Sequence, residues 1–425
     1  MRDRSPNSRA VITPLILLGI WILYVQQVSP APLLGILAEH FGIVNNDMLL
    51  NMSVSIIFPA IIVASLVGAA IEHRLGLRRL FTVALGFAVV GMLTNYVASS
   101  YWVFLLGRFL YGVGFGLAIP FIGSAIMKWY EPHQREGMNT ANGLFPFFGA
   151  VTGYALMVPI YVLLGSSWRN ALGAWGIVLA AVMIAWVTMA RDPGLARDVE
   201  PETEGLPERG TFFALLRRRS IRLLSVTFIC DFLCYSYIAT ILPTYLSEIG
   251  GLSATAAGLW AALAFPAVGI LGGMLGGIHM SRTGRRKPSL VAGQVLKLAG
   301  LLVASLGASV SFGAVVVGVV LFGLGNSCWM PALYNVPMDL EDMTPNRVGS
   351  AFALILAFGF AAGAVSPAIG GWLTTLLAGM SGLGDATASH IFGLKWSLFA
   401  FAFINIVGVL CMLAIRESGP AGARR

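Results

Sequence analysis

Twelve long apolar stretches govern what this chain of 425 residues can fold into. They run over 11–37, 49–71, 79–97, 102–127, 139–164 and 168–190, then 222–247, 254–279, 288–308, 310–336, 348–378 and 393–415. A bilayer core about 30 Å thick takes about 20 apolar residues of helix to cross. Backbone in hydrocarbon must satisfy its own hydrogen bonds, which leaves helices or closed barrels. These runs are too long and too evenly apolar for the alternation of a barrel strand. The sequence therefore predicts an all-α membrane protein with twelve transmembrane helices. Composition agrees: 57% of residues are hydrophobic and 11% charged, against roughly 25% charged in a soluble domain. A soluble enzyme, a disordered regulator and a nucleic-acid binder are excluded. The 50 glycines suit closely packed helices better than flexible linkers.

The net charge of +8 could suggest nucleic acid, but its distribution points elsewhere. All but four of the 27 Lys and Arg fall in the termini and in the loops on their side. Arg169 and Lys395 lie in opposite loops, and Arg108 and Lys297 lie within spans. Basic loops stay in the cytoplasm, so both termini are expected there, in a bacterial inner membrane. Arg2, Arg4 and Arg9 ahead of an apolar run imitate a signal peptide. That run continues past Pro30 and Pro32 to Leu37 without a small-residue cleavage site, so it reads as a retained first helix. Residues 191–221 are charged and rich in Pro and Gly, a linker between bundles at 1–190 and 222–425. Its tail, Phe212–Arg219, reads equally as an interfacial helix with its Phe-Phe and Leu-Leu pairs in lipid or as a solvated basic loop. The four cysteines form no CxxC pair, so neither a disulfide framework nor a zinc site is expected. Five scattered histidines have no ligand spacing, and there is no P-loop to bind ATP.

The two halves repeat. Gly68, Arg74, Gly76 and Arg78 recur at Gly276, Arg282, Gly284 and Arg286, each 208 residues on. Phe58-Pro59-Ala60 recurs as Phe265-Pro266-Ala267, and Arg135 and Gly137 as Arg347 and Gly349. Six plus six spans in a parallel repeat suit a secondary transporter with its site between the halves near the midplane. The loops GAAIEHRLGLRR and GGIHMSRTGRR, with LLGRFLYGVGFG in span 4, resemble the major facilitator superfamily. The resemblance covers nearly the whole chain. It implies two pseudo-symmetric six-helix bundles that rock around a central solute site. In that family the loops act in the conformational switch, which maps here onto Glu72, His73, Arg74, Gly76 and Arg78, and onto Arg282, Gly284 and Arg286. The acidic motif position departs from the family: His73 stands there with Glu72 one place early, and Ser281 in the second copy. GFAAGAVSPAIGG in span 11 is similar to a glycine–proline motif of family antiporters. SSWRNAL at the start of span 6 loosely resembles porters of the cyanate and nitrate/nitrite type.

A charge at the bilayer centre costs a few kcal/mol even on a lenient scale, so the intramembrane charges are the candidates for function. Asp231 shares one face of span 7 with Thr227, Cys234 and Tyr235, at helical spacing. It is expected to carry a proton, against the plainer role of a packing contact. Arg108 in span 4 keeps its charge and presents a planar fork. It is expected to hold an anionic solute or to pair with an acid such as Asp231, against the plainer role of a structural arginine that snorkels outward or caps a helix end. Lys297 in span 9, with Gln294 one turn before it, is expected to snorkel outward or to make a structural contact, since the resemblance makes span 9 peripheral. Tyr24, Gln26 and Gln27 on span 1, Asn142 on span 5, and Asn326, Trp329 and Tyr334 on span 10 complete a candidate solute pocket. Gly269, Gly273 and Gly277 are expected to form a packing ridge on span 8, and Gly112 and Gly116 one on span 4. The chain is thus expected to be a monomeric, proton-coupled secondary transporter of a small polar or anionic solute, with no cofactor beyond an ion gradient and the bilayer as its surroundings. A multidrug/proton antiporter and a membrane sensor that kept the fold but lost transport are the alternatives. No catalytic constellation supports an enzyme.

Overall fold

A computed structural model describes residues 6–44, 46–129, 132–190, 211–341, 343 and 345–419. Helices carry the fold, and the described residues contain no strand. Twelve helices are long and apolar enough to cross a membrane. Spans 1 to 6 cover Ile12–Phe41, Asp47–Gly68, Leu77–Val97, Tyr101–Ile119, Phe145–Leu163 and Trp168–Met189. Spans 7 to 12 cover Arg219–Gly250, Ala254–Thr283, Lys287–Gly307, Phe312–Asn335, Ser350–Met380 and Ala386–Ala414. Helix starts move where a cap, not hydropathy, decides. Span 12 begins seven residues before its apolar run because Asp385 Oδ2 accepts the Ala388 N–H at 2.6 Å.

The chain divides into two compact units, Met1–Gly42 with Met52–Glu202, and Ile43–Asn51 with Thr203–Arg425. Each is built the same way. In the first, span 4 packs on spans 2 and 3, span 3 on span 6, and span 1 on spans 5 and 6. In the second, span 10 packs on spans 8 and 9, span 9 on span 12, and span 7 on spans 11 and 12. This identical pairing is the three-dimensional form of the sequence repeat.

Prolines break the same places in both units. A proline lacks the N–H that would bond the carbonyl four residues back. Span 2 is interrupted between Ser55 and Ile57, just before Pro59. Its counterpart Pro266 lies in a π-helical turn, Leu263–Ala267. Span 1 breaks at Pro30, where a 3-10 turn, Ala31–Leu33, follows. The repeated loop glycines are also explained: Gly76 and Gly284 have φ of 75° and 64°, a region costly for residues with a Cβ.

Two local expectations are corrected. The linker tail folds as a short helix, Thr211–Arg217, but Leu215 faces protein, buried against Ile221 and Ala351. On span 8 the packed ridge is Gly272 and Gly276. A Cβ on either would land on the backbone carbonyl of Leu324 or Cys328, whereas nothing lies within 4 Å of one on Gly277. Gly112 and Gly116 of span 4 do press on span 2, against the carbonyls of Ile57 and Ile61.

Candidate functional site

The first unit solves the problem of its intramembrane charge with backbone. Arg108 is 2% exposed. Its Nε donates to Ser53 O at 2.8 Å, Nη1 to Gln26 O at 2.7 Å and Nη2 to Gln27 O at 3.0 Å. The reason lies in the helix breaks. The carbonyl of Gln26 would normally accept the N–H of residue 30, but residue 30 is proline. Gln27 and Ser53 likewise lie in the last turns before breaks, where carbonyls lack helical partners. Arg108 supplies the missing donors and ties spans 1, 2 and 4 together. Tyr111, one turn on, lies under the guanidinium at 5.1 Å and donates to Leu23 O. The side chains of Gln26 and Gln27 therefore take no part in holding Arg108; Gln26 is buried with its Oε1 unpaired. Tyr24 packs edge-on against Phe115, with ring centroids 5.0 Å apart.

The second unit solves the same problem with an opposite charge. Asp231 on span 7 is 1% exposed and Lys297 on span 9 is 0% exposed, and Lys297 Nζ bonds Asp231 Oδ1 directly. The ammonium also lies 5.2 Å from the centroid of Phe322. Lys297 thus does not snorkel, and Asp231 takes Lys297, not an arginine, as its partner. Gln294 and Trp329 are both fully buried nearby, their side-chain polar atoms without a hydrogen-bond partner. Gln294 is steadied from span 12, its carbonyl accepting from Asn405 Nδ2 at 3.0 Å. Thr227 and Cys234 line the same buried face of span 7, Cys234 bonding Phe401 O at 3.3 Å. A continuous polar centre therefore joins spans 7, 9, 10 and 12. Asp231 Oδ2, Thr227 Oγ1 and Asn405 Oδ1 in it have unspent bonding capacity.

Other candidates are dispersed. Tyr235 is only partly buried and packs toward Phe265 of span 8. Asn326 is buried with an unpaired Oδ1, one turn before Trp329. Tyr334 is 44% exposed beside Phe352, apart from the polar centre. The side chains of Asn142, Glu72 and His73 lie outside what is described, as does 191–210. Arg74 and Arg282 are exposed, and Arg78 donates to Val187 O. In the second loop Arg286 Nε meets Asp339 Oδ2, an acid beyond the end of span 10, at 2.8 Å.

One charged cluster had no signal in the spacing of histidines. His390 Nδ1 lies 2.8 Å from both oxygens of Glu248, and its Nε2 lies 3.5 Å from Asp47 Oδ2. Thr375 donates to that same oxygen at 3.0 Å. The start of span 2 is thereby fastened to spans 7, 11 and 12, which explains why 43–51 groups with the second unit.

The chain is similar to carriers throughout. It is 26% identical over 395 residues to the "Probable sulfoacetate transporter SauU" of Cupriavidus necator, covering 86% of this chain and 87% of that one. A shorter match, 27% identical over 36% of this chain and 27% of the other, is to the "Probable inositol transporter 3" of Arabidopsis thaliana. Among solved structures, an inward-facing bacterial homologue of the human lysosomal transporter Spinster superposes with a TM-score of 0.82 at 14% identity, over 96% of this chain and 97% of that one. A D-xylose–proton symporter superposes with a TM-score of 0.75 at 16% identity, over 98% and 99%. The family model of the Major Facilitator Superfamily matches residues 16–340 and again 224–425, and the chain belongs to that superfamily.

Proposed function

We propose that this protein is a proton-coupled carrier of a small organic anion, of the carboxylate or sulfonate class, working by alternating access in a bacterial inner membrane with both termini cytoplasmic. The observation that carries the coupling is the buried Asp231–Lys297 pair. Both charges together are tolerable in a low-dielectric interior, whereas one left alone costs several kcal/mol. Protonating Asp231 leaves the Lys297 ammonium uncompensated. An anion drawn in from the transport path restores neutrality, so proton and anion favour each other's binding, and by linkage the preference is mutual. The likeness to a sulfoacetate carrier supports the solute class. Arg108 has its donors committed to carbonyls and serves to hold spans 1, 2 and 4 in register.

Purified protein in liposomes tests this under an imposed pH gradient. Uptake of sulfoacetate or a related short organic anion should rise when the outside is acidified, and Asp231→Asn should abolish that rise. Uptake of a neutral sugar in preference to every anion tried would overturn the solute class. Unchanged proton dependence in Asp231→Asn would overturn the role of the pair.

A further inference from the structure

The foot of span 7 holds a cleft of about 380 Å³ that plays no part in the polar centre. Its walls are Arg218, Arg219, Ser220, Leu223, Leu340 and Arg416. We propose that this cleft seats the headgroup of an anionic phospholipid of the cytoplasmic leaflet.

Charge is the first argument. Three arginines line the cleft, Arg218 half-buried and Arg219 and Arg416 exposed, and among the described residues none has a carboxylate within 4.0 Å. Two are aimed by single bonds to backbone: Arg218 Nη1 to Glu341 O at 2.6 Å and Arg219 Nη2 to Ala414 O at 3.2 Å. Each guanidinium has five N–H donors, so most remain for a ligand. The described acids nearest in sequence are otherwise placed. Asp339 is held by Arg286, Glu417 accepts from the backbone of Arg286 and Lys287, and Glu341 is exposed. Three neighbouring cations attract an anion, and guanidinium forks match phosphate oxygens in pairs.

The helix adds to the field. Span 7 starts at Arg219, and its N-cap, Arg218, makes no side-chain cap. Its first N–H groups and positive dipole end therefore lie at the cleft, where a phosphate is favoured.

The apolar walls select a lipid over a free anion. Leu223 and Leu340 line the same cleft as the arginines, as glycerol and acyl carbons beneath a phosphate require. The depth also fits, because Arg219 is the first residue of a membrane span. The short helix Thr211–Arg217 leads into the cleft, with Leu215 packed on Ile221 and Ala351 and Leu340 alongside. Basic pockets between helices on the cytoplasmic side commonly hold acidic headgroups.

Native mass spectrometry and melting of the full chain test the proposal, with phosphatidylglycerol, phosphatidylcholine and inorganic phosphate as separate additions. Phosphatidylglycerol should be retained about tenfold better than phosphatidylcholine and should raise the melting temperature. Arg218→Gln with Arg219→Gln and Arg416→Gln should remove both effects and leave melting in neutral detergent unchanged. Arg217→Gln with Arg222→Gln, outside the cleft, should keep them. Equal loss in that control, or equal retention of the two lipids, would overturn the site. The full effect from inorganic phosphate alone would overturn the lipid as its occupant. Should the triple variant melt early in detergent, Arg416→Gln alone is decisive, since Arg416 bears no backbone bond of the two described, and it should lower lipid retention severalfold.

Discussion

Arg108 and Asp231 pose one problem and receive two answers. Each is an ionisable side chain sealed inside an apolar helical unit. Arg108 is compensated by carbonyls that helix breaks at Pro30 and near Ser55 leave without N–H partners. Asp231 is compensated by Lys297, a side chain of opposite charge. The difference decides what each can do. A guanidinium among carbonyls cannot titrate usefully and has no counter-charge to exchange, so it braces. On the mechanism proposed above, an ion pair can be switched by a proton on Asp231 or by a competing anion. The pseudo-symmetric frame thus carries a rigid clamp in one unit and a switchable pair in the other.

Splitting the pair should give the largest effect. Lys297→Met leaves Asp231 buried without its partner and should cost about 3–5 kcal/mol, as measured elsewhere for half-broken buried pairs. Adding Asp231→Leu removes the orphaned charge and should restore most of the lost stability while transport loses its pH dependence. Thermal unfolding in detergent and anion uptake in liposomes read the two effects separately. A double variant that stays proton-coupled would reduce the pair to packing and make the two units equivalent.

Arg108→Met comes next. It strands carbonyls of Gln26, Gln27 and Ser53 and should destabilise the protein by roughly 3 kcal/mol, since each buried unmet acceptor costs about 1–3 kcal/mol without simple additivity. Arg108→Lys should recover part of that, one ammonium reaching some of the carbonyls. In both, the residual uptake should keep the wild-type pH profile. A shifted profile would put Arg108 in the proton path and break the contrast.

Much of this arrangement is readable before any coordinates. Runs of apolar residues announce the spans, the 208-residue spacing announces the repeat, and the scarcity of charge singles out Arg108, Asp231 and Lys297. What is not legible is who meets whom. Lys297 reaches span 7 because spans 9 and 10 press together at Gly293, Gly300 and Gly325, a distance no linear pattern encodes. The carbonyl partners of Arg108 were hinted at by Pro30, whose missing N–H frees Gln26 O, but a search for charged partners passes over backbone. The glycines of span 8 offered two registers, 269/273/277 and 272/276, and spacing alone could not choose between them. His390 was hidden because the hydropathy boundary of span 12 cut it off from its helix.

The glycines that place the two charges yield the subtlest test. A Cβ on Gly300 would collide with the backbone N of Phe322 and lie 2.7 Å from Gly318 O, so Gly300→Ala must push spans 9 and 10 apart. Overpacking of this kind costs about 1–3 kcal/mol, and Lys297, one turn away, would be drawn from Asp231. On the other unit, a Cβ at Gly107 would lie 2.8 Å from Gly91 O and 3.0 Å from Thr94 Cβ, a crowding of spans 3 and 4 beside Arg108. Gly107→Ala should therefore lower stability by a similar amount without touching the pH profile, whereas Gly300→Ala should lower stability and flatten the profile. Gly277→Ala, with open space around its Cβ, should do neither. Melting curves together with uptake at several external pH values separate these outcomes. If Gly107→Ala and Gly300→Ala alter the pH profile alike, proton sensing is spread across both units, and the division between clamp and switch fails.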